Sequence, residues 1–226
     1  MTLLISFVLT MVVLVISIAI HEFSHAITAD RLGDPTPRMQ GRITLNPIRH
    51  LDPTGTLMIV LSSMAGFGIG WGKPVQVQPR FFRNVTPRAG MGIVAAAGPV
   101  SNIILALLGA IVVRALVGSL ALPGLFAGNL SLAFLSQWII INIVLALFNL
   151  IPVFPLDGYS IFVALLESFR QDWSLRLARL WQQQVQYGPL FLFLLLILDW
   201  QMPAISPIRW LFQGPGQWLI GVFLGG

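Results

Sequence analysis

The chain has no cysteine and little charge. Without cysteine it has no disulfide framework and no thiolate metal site. Charged residues make up 9% of its 226 positions, against about 25% in an ordinary soluble domain. Only three histidines and eight acidic residues are present, so metal or acid–base chemistry has few side chains to draw on. No internal repeat, low-complexity tail or soluble accessory module is visible, and one domain over residues 1–226 is expected. The net charge of +5 sits on short basic loops. Such loops read as membrane-topology signals and not as a nucleic-acid surface.

What remains is apolar. Hydrophobic residues make up 56% of the chain, and the mean hydropathy is +0.85. Several runs reach the ~18 residues of a membrane span. The expected fold is an all-α polytopic membrane protein with five to six membrane segments. The first run, Leu3 to Ile20, carries no charge. No basic segment precedes it and no small-x-small site closes it, so a span is expected there and not a signal peptide. "MQGRITL" and "PVQVQPRFF" alternate in polarity, which predicts short membrane-associated strands at about 40–45 and 74–78. The glycine-rich stretch at about 54–71 is expected to re-enter or half-insert. "SIFVALLESFRQDWSLRLARLWQQQ" reads as one amphipathic stretch, suited to the membrane surface or to gating.

At the end of the first run stands "HEFSH": His21, Glu22, Phe23, Ser24 and His25. A lone carboxylate at membrane depth is costly and marks a functional candidate. His21 and His25 lie one helical turn apart on one face. Two imidazoles so placed can hold one Zn²⁺, with the adjacent Glu as general base. The competing reading is a hydrogen-bonded polar pair inside a helix bundle, and it leaves Glu22 unexplained. A catalytic zinc takes three protein ligands and keeps one open position. Among the acids, Asp157 lies in "NLIPVFPLDG", a segment that prolines keep from being helical. It reads either as the third ligand or as the cap of the next helix. Spacing alone leaves both open.

Three motifs together carry a resemblance. HExxH on an early membrane helix, "AGPVSN" on a later one, then "NLIPVFPLDG", are similar to those of the site-2 proteases, which are intramembrane zinc metalloproteases. "GRITLNPIRHLDPTGT" and "GWGKPVQVQPRFFRN" resemble the small bacterial branch without PDZ or CBS domains. The resemblance covers about residues 18 to 165, within a catalytic core of about 1–170 followed by C-terminal helices at about 171–226. It implies zinc held by His21, His25 and Asp157, with Glu22 as catalytic base. It gives Asn149 a role in supporting substrate backbone or oxyanion, with Asn102 a second candidate. His50 is expected to be structural. The second residue after Asp157 is Tyr159, where the family often has glycine. The implied activity is hydrolysis of peptide bonds within or near membrane-spanning helices of protein substrates.

Charge orders the topology. Residues 31–49, 73–88 and 170–179 hold eleven of the thirteen Lys and Arg, and the loop from Val117 to Ser131 holds none. The positive-inside rule puts the three basic stretches in the cytoplasm. The expectation is an inner (plasma) membrane protein with its N-terminus outside and its site nearer the cytoplasmic face. Its partners would be a membrane-spanning protein substrate and the lipid bilayer, with no nucleic acid. Two rivals stand beside this reading. One is a non-proteolytic metal-binding membrane protein, either a transporter or a degenerate scaffold. The other is a different zinc protease whose third ligand is a Glu.

Overall fold

The computed structural model describes residues 3–55, 57, 72–117, 129–201, 210 and 212–224. The first apolar run forms α1 (Leu3–Arg31). Its 29 residues extend about 43 Å, beyond the hydrocarbon core of about 30 Å. A single turn, α2 (Thr36–Met39), follows. The next long helix, α3 (Pro87–Val117), starts at a proline, the residue best tolerated at a first helical position. α4 (Leu130–Asn149) is capped by Asn129, whose side chain accepts from the amides of Ser131 and Leu132. Then come α5 (Asp157–Ser168), α6 (Asp172–Gln183), α7 (Gly188–Gln201) and α8 (Gln217–Leu224).

Among the described residues, α1, α3 and α4 are long and apolar enough to cross a membrane. The chain is thus a helical membrane protein. Five to six membrane segments are expected from the sequence. The 14 described residues of α7 extend about 21 Å, and residues 202–209 lie outside the described ones. α8 has eight residues and follows a π-helical turn over Phe212–Gly216 that contains Pro215. Most of the 54–71 stretch lies outside the described residues.

The predicted strands do not form among the described residues. The β feature seen there is an isolated antiparallel bridge between Leu51 and Gly72. Side chains take the backbone partners that a ladder would need. Arg42 is buried, and its guanidinium donates to the carbonyls of Arg49 and Lys73. The amide of Val75 donates to Glu22 at 3.1 Å, and that of Gln78 to the buried Asp34 at 2.6 Å. Residues 72–78 are therefore stitched to the end of α1, not paired as a strand. The amphipathic stretch also departs from expectation. It divides into α5 and α6 where Arg170 adopts a φ of 52°.

α3 is the central helix, packing on α1, α4 and α5. Its face toward α4 is built from Ala106, Ala110 and Val113, which meet Ile139, Ile143 and Leu147. Small residues allow the close backbone approach that favours helix association in lipid. Its other face carries exposed Ile104, Leu107, Leu108 and Ile111, an i, i+3, i+4, i+7 stripe suited to acyl chains. α1 meets α4 through Leu14 and Ile18 against Ile141 and Leu145. The C-terminal third of α1 then lies beside the N-terminal half of α3.

Candidate metal centre

His21 and His25 are buried on one face of α1. Their rings sit edge to face with centroids 4.6 Å apart. The room for both comes from α3. A Cβ on Gly98 would lie 2.5 Å from Cε1 and Nε2 of His21 and 2.6 Å from Cε1 of His25. The imidazoles rest on bare backbone. We expect Gly98→Ala to displace both rings and to weaken metal binding by at least about tenfold, the lower end for losing an outer support of a ligand. Competition against a chromophoric chelator reads this directly.

Each ring is held by its Nδ1. That of His21 lies 2.6 Å from Asn102 Oδ1. That of His25 lies 2.7 Å from the carbonyl of Val94. Pro99 withdraws one amide donor from this turn of α3. Both Nδ1 partners are oxygens, so both nitrogens donate. A neutral ring then presents a lone pair at Nε2.

Asp157 faces those lone pairs. It opens α5, after α4 ends and the chain runs through Pro152 and the cis Phe154–Pro155 peptide. The chain folds back so tightly that a Cβ on Gly158 would sit 2.3 Å from the carbonyl oxygen of Leu150. A brace comes from α6 and the residue that caps it: the Trp181 indole and the Gln184 side chain both donate to the Pro152 carbonyl, at 2.8 and 3.1 Å. Trp181→Phe removes one of those two bonds. The expected loss is about 1 kcal/mol, measurable as a lowered unfolding temperature.

The carboxylate of Asp157 lies 3.1 Å from Nε2 of His21 and 3.4 Å from Nε2 of His25. Its Oδ2 is buried yet has no hydrogen-bond partner. The two facts are compatible, because a neutral His21 ring that donates from Nδ1 has no hydrogen at Nε2 to give across the 3.1 Å contact. Two lone pairs and a carboxylate converging at such distances are satisfied by a shared cation. The three donor atoms lie within 4.8 Å of one another. The set fits a divalent metal.

Glu22, next to His21, is half-buried and accepts from the Val75 amide. Burial holds the Arg42 guanidinium below its usual value, while the Glu22 charge pulls it back up. The remaining sequence candidates are placed apart from the triad or one bond behind it. Asn102 is fully buried and spends its amide on His21 and on Asn142. Asn149 is half-buried and donates back to the Leu145 carbonyl of its own helix. His50 is buried, with Nε2 at 2.7 Å from the Thr44 carbonyl. Asn142 and Trp181 escape a reading of the sequence, and Gly98 enters it only as part of the "AGPVSN" motif. The one signal for Asn142 is a carboxamide in the middle of an apolar span.

The sequence profile of peptidase family M50 matches residues 9–196. The chain belongs to peptidase family M50. The resemblance to the site-2 proteases carried by the three motifs is borne out by that match. Among curated relatives, YwhC of Bacillus subtilis, named as a candidate zinc metalloprotease, is 45% identical over 151 residues. That match covers 66% of this chain and 65% of YwhC, just under two thirds of the relative's length. Rip2 of Mycolicibacterium smegmatis, named in the same way, is 32% identical over 208 residues, which are 92% of this chain and 71% of Rip2. Rip2 of Mycobacterium tuberculosis (strain H37Rv) is 34% identical over 155 residues, 68% of this chain and 56% of Rip2. No solved structure matches the chain.

Proposed function

We propose that this M50 member is a zinc-dependent intramembrane endopeptidase that hydrolyses peptide bonds within or near the membrane-spanning helices of protein substrates. The convergence of His21, His25 and Asp157 beside Glu22 carries the reading. Ligand atoms 2.0–2.1 Å from a tetrahedral zinc lie about 3.3 Å from one another. The His–Asp separations, 3.1 Å from His21 to Oδ2 and 3.4 Å from His25 to Oδ1, are of that size, each to its own carboxylate oxygen. The relatives' names supply zinc as the metal.

Zinc held there would act as a Lewis acid toward water and the scissile carbonyl. Glu22 takes a proton from the attacking water as the water oxygen bonds to the carbonyl carbon. It returns the proton to the amine as the C–N bond breaks. His21, His25 and Asp157 hold the ligand geometry. The Val75 amide orients the Glu22 carboxylate before substrate arrives. Helical substrates hide their carbonyls in i→i−4 bonds and must unwind at the site first.

The site lies toward the cytoplasmic face of the plasma membrane, with the N-terminus outside. The antiparallel bridge between Leu51 and Gly72 brings the basic segments that follow α1 and precede α3 together, which supports placing both on one side of the membrane. Accessibility tags at residues 40 and 78 should report the same side; opposite sides would refute the topology.

The activity is tested with the full chain reconstituted beside a panel of membrane-spanning helical substrates. Cleavage that a chelator stops and Zn²⁺ restores is the expected result. A purified chain that holds no zinc and cleaves regardless would overturn the reading.

A further inference from the structure

We propose that Asn142 is a positioning residue for His21: through Asn102 it fixes which nitrogen of the His21 ring carries hydrogen, and so which one is free to bind metal. The proposal rests on the metal reading above. Four groups on three helices form a single file. Asn142 Nδ2 donates to the Trp138 carbonyl at 2.9 Å. Asn102 Nδ2 donates to Asn142 Oδ1 at 2.9 Å. Asn102 Oδ1 meets His21 Nδ1 at 2.6 Å. Both asparagines are fully buried.

The direction of this file does not depend on how the amide atoms are assigned. A main-chain carbonyl can only accept, so Asn142 must turn its nitrogen toward Trp138. Its oxygen then faces Asn102, which must answer with nitrogen. The Asn102 oxygen is left for His21, whose Nδ1 must donate. Nε2 is thereby a lone pair aimed at Asp157. Were the Asn102 amide free to rotate, its nitrogen could face the ring. Nδ1 would then accept, and the hydrogen would sit on Nε2, blocking ligation.

Interhelical asparagines commonly act as packing glue. Glue would work with either polarity, whereas this file permits one. His25 is the internal contrast. Its Nδ1 is fixed by the Val94 carbonyl, which needs no relay. Loss of Asn142 should therefore touch one imidazole and spare the other.

The experiment uses the full chain in detergent with the metal alone. Zn²⁺ affinity is measured by chelator competition. Proton NMR of the Co²⁺ form reads the exchangeable ring N–H of each ligating histidine. Wild type should show two such signals. Asn142→Leu should bind Zn²⁺ about tenfold more weakly, as for other outer partners of metal ligands, and lose or broaden one signal. Asn142→Ala repeats the deletion with a smaller side chain should the leucine variant not fold. Asn142→Asp, neutral in its apolar surroundings, keeps the polarity and should restore both readouts. Ile143→Ala opens a cavity in the same interface and should change neither. Wild-type affinity with two intact signals in Asn142→Leu and Asn142→Ala would overturn the relay. So would equal weakening in Asn142→Asp or Ile143→Ala. A wild type that binds no metal would instead bring down the metal reading, and the relay with it.

Discussion

Glu22→Gln is expected to keep zinc and to lose peptide hydrolysis by about 10²–10⁴-fold, the contribution of a positioned general base. The replacement is nearly isosteric. Its amide oxygen still accepts the Val75 amide, so the loop over the site stays in place. What disappears is the ability to take a proton from water. Metal content by elemental analysis and cleavage of a membrane-spanning substrate should therefore separate cleanly. Unchanged cleavage in this variant would end the protease reading, and would favour a transporter or scaffold that uses the metal otherwise. Parallel loss of zinc and activity would make Glu22 a structural prop of the site instead.

Asp157→Ala tests the other half. It removes one of three protein donors, and zinc affinity should fall by more than the roughly 10- to 100-fold that losing an outer partner costs. The fold should survive. The segment that carries Asp157 is held by main-chain features: the close turn at Gly158 and the two bonds to the Pro152 carbonyl. Helical content by circular dichroism should match wild type while bound zinc is lost. Full zinc content in this variant would point to a different third ligand.

How far the sequence led depended on the range of the interactions involved. α1, α3 and α4 were legible because a run of apolar residues longer than the hydrocarbon core announces itself. The histidine pair was legible because helical spacing fixes its geometry locally. Asp157 needed the family motif, since its two readings differ only in what lies across space. The strands at 40–45 and 74–78 were misread. Alternation marks a segment fit for a sheet, but here Arg42, Glu22 and Asp34 capture the carbonyls and amides that would have paired. The division of the amphipathic stretch at Arg170 was likewise hidden, because the residues on either side keep a helical pattern. The partner of Asn142 was hidden for a plainer reason. Asn102 lies 40 positions earlier, and nothing local marks a hydrogen bond between helices.

The absence of cysteine takes on another meaning beside the triad. His21 and His25 belong to the first helix, while Asp157 follows the end of the last long one. A cation gripping all three would tie together parts of the chain separated by most of the core. A cross-link that closes so long a loop removes conformational freedom from the unfolded ensemble. In this protein the reaction centre would thus also be the clasp that a disulfide provides elsewhere, and stripping the metal should lower the unfolding temperature of the bundle, with its helices kept, as well as silence it.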